Sequence, residues 1–574
     1  MSDGLMLISA ATRRNWGKLN TESSERLKRR ANKSRSGKYI VPDNYIDTEG
    51  LDSVLDQIAN CAHPNLDVFY CLCLQKLNLL YDNPNVERFI SEYGREVYLK
   101  FDIPDNILKD TSRDWLGFLY QMRIPEGQRN LQGQYYTNCR IVKKMLSGLV
   151  INSDQSFFDP CCGTGAFLMN TGATSLSQLY GVDNDEIAVM IAKANLIALF
   201  PDDYCYPQLY CEDYLEDTIC LSNRIFGKKF DFIYTNPPWG ISRTHQYPSE
   251  IIHSGERASL FFVKAFEQLK HGGQLSFLLP SSLLKIKVHQ DFRSFIMTKT
   301  KMEGITLFNE KFNGVFTDFF SIAVSRQDLL ETQFYYVKKN GEVFWIEKPV
   351  LGEESEIELN GIEDQSILAM IEERGNDNLS HSIWALGIVT GDNKKKLRKE
   401  KEVGFEAIYT GKDISKFSLK SPSNYIFYDR TNLQQCAKDE YYRCPEKLVY
   451  KFISKSLCFA YDAGSHLFLN SANILIPHIQ GMSIKTVLAF LNSELFSYYY
   501  SKKYLDIKIL KGNLMALPFP RITCRQNADI AEMVDRVLSG ERYFVETIND
   551  YIYSLYDFSP SIINKIKKEI SWKP

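Results

Sequence analysis

Short apolar runs alternate with amphipathic helical segments in the middle of the chain, and this pattern limits the fold more than any other feature. Between the runs, apolar residues recur at helical spacing over 187–198 and 262–269, and we expect Gly272-Gly273 to end the second helix. Strands separated by helices predict an α/β fold with a doubly wound, mostly parallel sheet. The predicted strands are Ser156–Phe158, Leu179–Val182, Gln208–Tyr210, Phe230–Tyr234 and Gln274–Leu279.

The alternation is confined to one part of the chain. Before it, apolar residues recur at helical spacing from Leu66 to Leu80, and the pattern continues through Phe89 and Tyr98. Beyond about Val350 the rhythm stops, and short aromatic-rich strands followed by a helix predict a separate mixed α+β domain. The predicted domains are a basic arm with a helical region (1–110), the α/β domain (111–350) and a C-terminal domain (351–574).

Composition limits the partners and the location. No apolar run approaches the roughly 20 residues of a membrane span, and no apolar signal segment follows the basic N-terminus. We therefore expect a cytoplasmic protein that does not associate with a membrane. The 13 cysteines form no Cys-x-x-Cys pair, which predicts small core residues and no metal site. The net charge of -2 means that any phosphate contact must come from local basic segments, 13–38 or 394–401, which are also typical of solvated surface.

Acidic residues follow three successive predicted strands. The first strand enters the glycine loop Asp159–Leu168, in which glycines allow close approach of the backbone to a ligand and a following helix would offer N–H groups. A third glycine, typical of dinucleotide-binding loops, is absent, which disfavours an oxidoreductase. Asp183 lies where such folds bind ribose hydroxyls, and Asp213 is placed to accept from an adenine amino group. Each acid alone can be a helix N-cap, but the series favours a cofactor site.

The fourth strand ends in the tetrapeptide Asn236-Pro237-Pro238-Trp239. Consecutive prolines stiffen the backbone and leave the carbonyl before the second proline able to accept a hydrogen bond. Together with the asparagine oxygen, it can accept both protons of an aromatic amino group and direct the nitrogen lone pair towards an electrophilic methyl. The tryptophan offers a flat surface for an extracted base. A buried turn is the alternative interpretation, but a strand's carboxyl end is where ligands of open α/β sheets bind.

Three blocks resemble the gamma-class amino methyltransferases of restriction-modification systems, the TaqI-like and type I modification-subunit group. They are Asp114–Tyr120 with Gly133–Thr137, then Asp159–Leu168, and finally Asn236–Trp239, in the gamma order. The resemblance implies a Rossmann-like, S-adenosylmethionine-dependent domain that methylates N-6 of adenine in DNA. Many members carry Tyr or Phe at the position of Trp239, so the size of the base pocket is left open.

The resemblance assigns the cofactor site to these blocks. It implies that Asp159 contacts the methionine end of S-adenosyl-L-methionine, Asp183 the ribose and Asp213 the adenine, with Thr137 also contributing. The expected cofactor-binding residues are Tyr136, Thr137, Asp159, Gly163, Gly165, Phe167, Asp183, Asn184, Asp213, Tyr214 and Asn236.

It also implies direct in-line methyl transfer to an adenine flipped out of the duplex. A second aromatic face is expected from a later loop, where Phe316 is preferred to Phe312. The expected catalytic residues are Asn236, Pro237, Pro238, Trp239 and Phe316.

Segments between Gly387 and Pro518 resemble the TaqI-like target-recognition domain. Their lysines can meet phosphates of double-stranded DNA, and their amides can bond base edges or the backbone. The same residues are equally typical of ordinary surfaces and turns. The expected DNA-binding residues are Lys412, Lys447, Lys451, Lys455, Asn470 and Asn473.

Other functions are left open. A covalent cytosine mechanism through Cys161 is disfavoured because that residue lies inside the cofactor loop. A related tetrapeptide also serves RNA and protein-glutamine methylation, and a non-catalytic DNA specificity subunit is a further alternative. Neither a nuclease segment nor a phosphate loop is recognisable. We therefore expect any restriction endonuclease partner to be separately encoded, and the enzyme to act as a monomer.

Overall fold

The predicted alternating strands form neighbouring strands of one sheet in the computed structural model. The strands of this sheet are β1 (Phe157–Asp159), β2 (Leu179–Asp183), β3 (Gln208–Cys211), β4 (Phe230–Thr235), β5 (Leu269–Pro280), β6 (Lys301–Leu307), β7 (Phe319–Ser325), β8 (Thr332–Lys339) and β9 (Glu342–Pro349). Their spatial order is β3-β2-β1-β4-β5-β7-β6-β8-β9. Strands β3, β2, β1, β4 and β5 pair in parallel, whereas β7 runs antiparallel to β5 and β6. The α/β fold is confirmed.

The structure describes residues 46, 49, 51–80, 82–124, 137–216, 224–225, 227–241, 247–309, 318–329, 332–339, 341–349, 357–504 and 508–571. The chain divides into two units, residues 1–359 and 360–574, and the large sheet belongs to the first. Within the described ranges, no helix has the length and apolar character needed to cross a membrane.

Helices of the first unit pack on the sheet and on one another. They are α1 (Asp52–Asn60), α2 (Asn65–Leu77), α3 (Pro84–Tyr93), α4 (Asp105–Leu108), α5 (Trp115–Arg123), α6 (Cys139–Met145), α7 (Glu186–Leu199), α8 (Arg257–Glu267), α9 (Ser282–Lys285) and α10 (Gln290–Lys299). Apolar side chains of α2 and α5 share one core with Ala188, Ile191 and Ile197 of α7. The N-terminal helices therefore brace the helix that connects β2 to β3.

Two local predictions were wrong. Helix α8 ends at Glu267, and Gly272-Gly273 lies inside β5, where Gly272 adopts a φ of +80°. The helical pattern around Tyr98 does not form a helix, because α3 ends at Tyr93 and the Tyr98 side chain is exposed. The apolar residues at helical spacing thus extend past Tyr93, where α3 ends.

The second unit is mixed α and β, as predicted for the C-terminal domain. Its strands are β10 (Gly375–Asp377), β11 (Ile383–Ala385), β12 (Leu397–Arg398), β13 (Glu406–Tyr409), β14 (Asn424–Ile426), β15 (Lys447–Lys451), β16 (Phe459–Asp462), β17 (Leu467–Phe468), β18 (Ala472–Ile476) and β19 (Phe519–Pro520). They form sheets of order β11-β18-β15-β16, β12-β14-β13-β17 and β10-β19. Its helices are α11 (Ile362–Glu373), α12 (Asn393–Lys396), α13 (Asp439–Tyr442), α14 (Ile484–Asn492), α15 (Glu494–Lys503), α16 (Lys511–Met515), α17 (Cys524–Leu538), α18 (Phe544–Ser554) and α19 (Pro560–Ser571).

Candidate active site

Four polar residues end or follow the parallel strands at one edge of the large sheet. Asp159 is the last residue of β1 and Asp183 the last of β2, while Asp213 and Asn236 follow β3 and β4. Parallel pairing brings these carboxyl ends to the same edge. The strand order reverses between β1 and β4, and open α/β sheets bind their ligands at such a switch point.

Asp159 is a buried carboxyl group with one oxygen already engaged. Its Oδ1 accepts hydrogen bonds from Thr235 Oγ1 at 2.5 Å and from the Cys161 amide at 3.0 Å. Its Oδ2 is buried and meets no hydrogen-bond donor within the described residues. Burial raises the pKa of Asp159 to about 7. A ligand that brings a donor, and above all a cationic one, would stabilise this carboxylate.

Asp183 fastens the glycine loop to β2. Its Oδ2 accepts from the Gly163 amide at 2.8 Å, and its Oδ1 accepts from the Asp185 amide at 3.0 Å. Burial, followed by the charge of Asp185, raises the pKa of Asp183 to about 6. Gly163 and Gly165 adopt φ values of +49° and +93°, which side chains other than glycine rarely tolerate. Asn184 is exposed beside Asp183.

The segment after the glycine loop differs from the prediction. It forms a short 3-10 helix at Leu168–Asn170 instead of an α-helix, so no α-helical N-terminus is available there. Phe167 is buried and packs with Leu168 and Leu179 in the core. Its side chain therefore supports the loop from the core and offers almost no accessible surface to a cofactor.

Asp213 and its neighbour Tyr214 have different surroundings. Asp213 accepts from the Leu215 amide at 3.0 Å and from the hydroxyl of Tyr247 at 2.6 Å. Tyr214 is buried between two phenylalanine rings, and its hydroxyl donates to the side chain of Gln268. The Tyr214 ring consequently belongs to the core, which removes it as a side-chain contact of a ligand.

Asn236 is held by a residue far away in the chain. Its Nδ2 donates to Thr137 Oγ1 at 3.0 Å across 99 positions of sequence. Thr137 is buried immediately before α6, and Pro237 is buried after Asn236, while Pro238 is half-buried. The structure thus brings together two residues that the sequence assigned to separate blocks, and it constrains the amide plane of Asn236.

Trp239 is half-buried with one edge of its ring anchored. Its indole N–H donates to the carbonyl of Leu278 at 3.2 Å, and its ring lies 6.0 Å from that of Phe319. The ring packs against a small core that also contains Ile141 and Phe308. A side chain fixed in this way can present a flat surface with little loss of rotamer freedom.

Other expected site residues lie outside the described residues. These are Tyr136 and the two candidates for the second aromatic face, Phe312 and Phe316. Their roles stay predictions. Within the described ranges, no group of three or more His, Cys, Asp or Glu side chains is arranged to hold a metal ion.

Comparison with protein families identifies the family of the chain. The N-6 DNA methylase family matches residues 111–398 of the 574. The chain belongs to the N-6 DNA methylase family. The methylase is therefore a DNA-modifying enzyme of an S-adenosylmethionine-dependent class. A TaqI-like C-terminal specificity domain matches residues 406–519, within the second unit.

Individual relatives agree with this family. The methylase is 25% identical over 319 residues to the type II methyltransferase M.VspI of Vibrio sp. (strain 343), covering 52% of this chain and 75% of that protein. It is 30% identical over 138 residues to the type I restriction enzyme MjaVII methylase subunit of Methanocaldococcus jannaschii, covering 22% of each. The solved type IIL restriction-modification enzyme MmeI, in complex with DNA, shares the fold with a TM-score of 0.54 at 14% identity, covering 79% of this chain and 81% of that one.

Two expected DNA contacts of the methylase are buried, and those interpretations were wrong. Lys447 is fully buried; its Nζ lies 2.7 Å from Asp462 and donates to the carbonyl of Tyr442 at 2.8 Å. Asn473 is buried and accepts from the Gly387 amide at 3.4 Å. Both side chains bond groups inside the domain, and their burial disfavours contact with a phosphate or a base.

The other expected DNA contacts are accessible, and three of them cluster. The Ser471 hydroxyl accepts a hydrogen bond at 3.0 Å from the Gly411 amide, directly before Lys412. Asn470 is exposed beside Ser471. Lys451, at the end of β15, pairs with the first residue of β18, which follows Ser471 directly. Lys455 is also exposed. Lys412, Lys451 and Asn470 thus form an accessible polar and basic surface on the second unit.

Contacts around the tetrapeptide include residues that sequence reasoning missed. Glu256 and Arg257, at the start of α8, bond the backbone at Trp239 and Gly240. Tyr247 bonds Asp213 from the same stretch of chain. The predicted helix 262–269 marked the region of α8, but no sequence signal connected its first turn to Gly240.

A buried network supports the glycine loop from the N-terminal side. Asp114 accepts from the Gly117 amide at 2.9 Å, from Asn195 Nδ2 at 2.8 Å and from the Thr164 hydroxyl. Lys76 in turn donates to Asn195 Oδ1 at 2.9 Å. The block beginning at Asp114 is thus physically linked to the loop with which it was grouped by resemblance.

Proposed function

We propose that the methylase transfers a methyl group from S-adenosylmethionine to the N-6 amino group of an adenine flipped out of duplex DNA. One observation carries this proposal. Asn236 follows β4 at the switch point of the sheet, with its amide held by Thr137, at the same edge as Asp159, Asp183 and Asp213. An amide acceptor beside three carboxylates suits an amino substrate and a cofactor rich in donors.

The residues at this edge fit S-adenosylmethionine. The cofactor presents an ammonium, ribose hydroxyls and an adenine amino group, all of which are hydrogen-bond donors. Asp159 Oδ2 is a buried acceptor that meets no donor within the described residues, and Asp183 and Asp213 are further carboxylates in order along the edge. We propose that they hold the methionine end, the ribose and the adenine, respectively. When bound, the cofactor supplies an electrophilic methyl group.

The protein's own part in the reaction is to orient the adenine. Asn236 Nδ2 bonds Thr137, so Oδ1 is the side-chain atom that accepts from the amino group. The Pro237 carbonyl accepts the second proton, and the two bonds direct the nitrogen lone pair out of the ring plane. Trp239 stacks on the base, a contact of about 1–3 kcal/mol that offsets the free energy of unstacking it. With the amino group held in this way, transfer would be direct and in line: the nitrogen would gain the methyl carbon as the bond of that carbon to sulfur breaks, and the amino group would release one proton to water.

We propose that the second unit selects the DNA site. Its accessible side chains can neutralise phosphates and reach base edges, and the specificity-domain match supports this assignment. Because M.VspI is a type II methyltransferase, we also propose a role in a restriction-modification system, with a separately encoded endonuclease and a monomeric methylase. The proposed DNA-contacting residues are Lys412, Lys451, Lys455 and Asn470.

The proposal is tested by offering labelled S-adenosylmethionine with duplex DNA, RNA or a protein extract. We expect label in DNA alone, and nucleoside mass spectrometry should identify it as N-6-methyladenine. Asn236→Ala should retain cofactor binding but lose about 100-fold or more in methylation rate, because a bond that matters in the transition state is removed. Label in RNA, in glutamine or in cytosine, or an unchanged rate for the variant, would contradict the assignment.

A further inference from the structure

The backbone leaves the tetrapeptide through a turn that is fixed to the start of helix α8. Gly240 adopts a φ of +89°, and a Cβ at this position would meet no atom within 4 Å, so the backbone conformation itself favours glycine. Ile241 then forms an isolated antiparallel bridge with Glu256. The turn and the first residues of α8 are therefore held side by side.

The Glu256 side chain bonds the backbone amide of the turn. The residue is 7% exposed, and its Oε1 accepts a hydrogen bond from the Gly240 N–H. Burial raises the pKa of Glu256, while the Gly240 N–H and the charge of Arg257 oppose that rise. A buried carboxyl group bonded to a backbone amide is an expensive arrangement to break, since the amide would lose its acceptor.

The Arg257 side chain bonds two backbone carbonyls of the same turn. Its Nη2 donates to the Trp239 carbonyl at 3.2 Å, and its Nε donates to the Gly240 carbonyl at 3.3 Å. The Arg257 backbone N–H also donates to the Gly240 carbonyl, at 3.1 Å. Trp239 is consequently held at two points, by its own carbonyl and by its indole N–H on Leu278.

Helix α8 gives this clamp a rigid base. Residues 258–263, immediately after Arg257, are all buried. A planar guanidinium that bonds two successive carbonyls restricts both the position and the tilt of the peptide between them. Movement of the Trp239 backbone relative to the core would therefore require breaking bonds to a helix that is itself packed in the core, while the indole bond to Leu278 holds the ring.

We infer that Glu256 and Arg257 are positioning residues for methyl transfer, which hold the backbone of Trp239 and Gly240 and thereby set the stacking ring against Asn236. The inference rests on the proposed function. Neither side chain needs to touch the base or the cofactor. Their effect is on the geometry of the reacting pair, where a displacement of about 1 Å can lower a rate about 100-fold.

The test compares two arginines that bond backbone carbonyls near opposite ends of α8. Arg257→Gln removes the guanidinium bonds to the turn, while Arg326→Gln is the matched control. Arg326 donates to the carbonyls of Glu267 at 2.9 Å and Leu269 at 3.0 Å, so its loss disturbs the far end of the helix in the same chemical way. For each variant, single-turnover methylation of duplex DNA is measured together with KM, cofactor dissociation constants and thermal stability.

We expect Arg257→Gln to lower the single-turnover rate about 100-fold, with KM and the cofactor dissociation constant within about twofold of the wild type. Arg326→Gln should lose comparable stability but keep the rate. Equal rates for the two variants, or a raised KM with an unchanged rate, would overturn the inference. A wild-type protein that does not methylate DNA would instead refute the proposed function.

A second pair of variants covers the case in which Arg257→Gln does not fold. Glu256→Gln keeps an oxygen that can accept from the Gly240 N–H, whereas Glu256→Ala does not. We expect the glutamine variant to retain the wild-type rate and the alanine variant to lose it. Equal rates for these two variants would count against the clamp, because the acceptor would then be irrelevant to the chemistry.

Discussion

At the scale of single residues, burial of Asp159 controls the electrostatics of the proposed cofactor site. The ordinary carboxyl pKa of 3.8 rises to about 7 because water is excluded from Asp159. The folded protein thus binds this proton more tightly than the unfolded chain. As pH rises from about 4 to about 7, the unfolded chain ionises first and the cofactor-free fold loses stability. A cationic partner at Oδ2 would reverse this effect by stabilising the ionised form.

We predict that affinity for S-adenosylmethionine rises with pH up to about 7, by up to about tenfold per unit, because the ammonium needs an ionised Asp159. Asp159→Asn should weaken binding and remove most of this dependence. Isothermal titration at several pH values below 7 would measure it. Asp203→Asn is the control, since hydrogen bonds lower the pKa of Asp203 and its carboxylate caps a different turn. An Asp159→Asn variant with the wild-type pH dependence would contradict the prediction.

At the scale of elements, the glycine loop is shaped by two anchored residues in its middle and by helix α7. Asp183 holds the Gly163 amide, and Asp114 holds the Thr164 hydroxyl. Directly after these two anchored residues, Gly165 takes a φ of +93°, and a Cβ there would approach Ala192 of α7 to 3.4 Å. The loop therefore combines a backbone conformation that favours glycine with a helix packed closely behind it.

We predict that Gly165→Ala destabilises the fold by about 1–2 kcal/mol and also weakens cofactor binding, because relief of the strain moves the loop. Gly172→Ala is a matched control. Gly172 has a φ of +74°, and a Cβ there would meet no atom within 4 Å, so the alanine carries the same backbone strain outside the loop. Denaturant unfolding and cofactor titration would separate the two effects. Unchanged cofactor affinity in Gly165→Ala, or an equal loss in both variants, would argue against the loop's role.

At the scale of the whole molecule, each unit contains a hydrophobic core. The interior of the second unit contains the ion pair of Lys447 with Asp462, to which His466 Nδ1 adds a contact of 2.7 Å. Loss of one partner of a buried pair leaves the other charge without compensation. Such a change should act on the unit that contains it.

We predict that Lys447→Met destabilises the second unit by about 3–5 kcal/mol. Calorimetry should show a lowered transition for that unit, while cofactor binding by the first unit is retained. The control, Lys412→Met, changes an exposed lysine and should leave the transition in place while weakening DNA binding. A Lys447→Met protein as stable as the wild type would show that the buried pair is dispensable.

Much of the arrangement at the carboxyl edge of the large sheet could be predicted from local sequence. The alternation of strands and helices predicted β1 to β4 as strands of one mostly parallel sheet, and the positions of Asp159, Asp183, Asp213 and Asn236 at or after strand ends predicted that they would share its carboxyl edge. These features depend on short-range patterning and on the geometry of parallel strands, so they can be predicted from neighbouring residues. The same reasoning failed for residues whose accessibility depends on tertiary packing. Tyr214 and Lys447 were predicted to contact ligands, but their polar atoms bond groups inside the fold.

The sequence by itself thus determined the fold class, the order of the site residues along the chain and the family whose motif the tetrapeptide resembles. The tertiary structure alone decided that Thr137 bonds Asn236 and that Glu256 and Arg257 hold the turn at Gly240. These contacts join residues whose local patterns are independent of one another. They form because packing of the helices against the sheet brings distant side chains within hydrogen-bond distance, and no local periodicity encodes that distance.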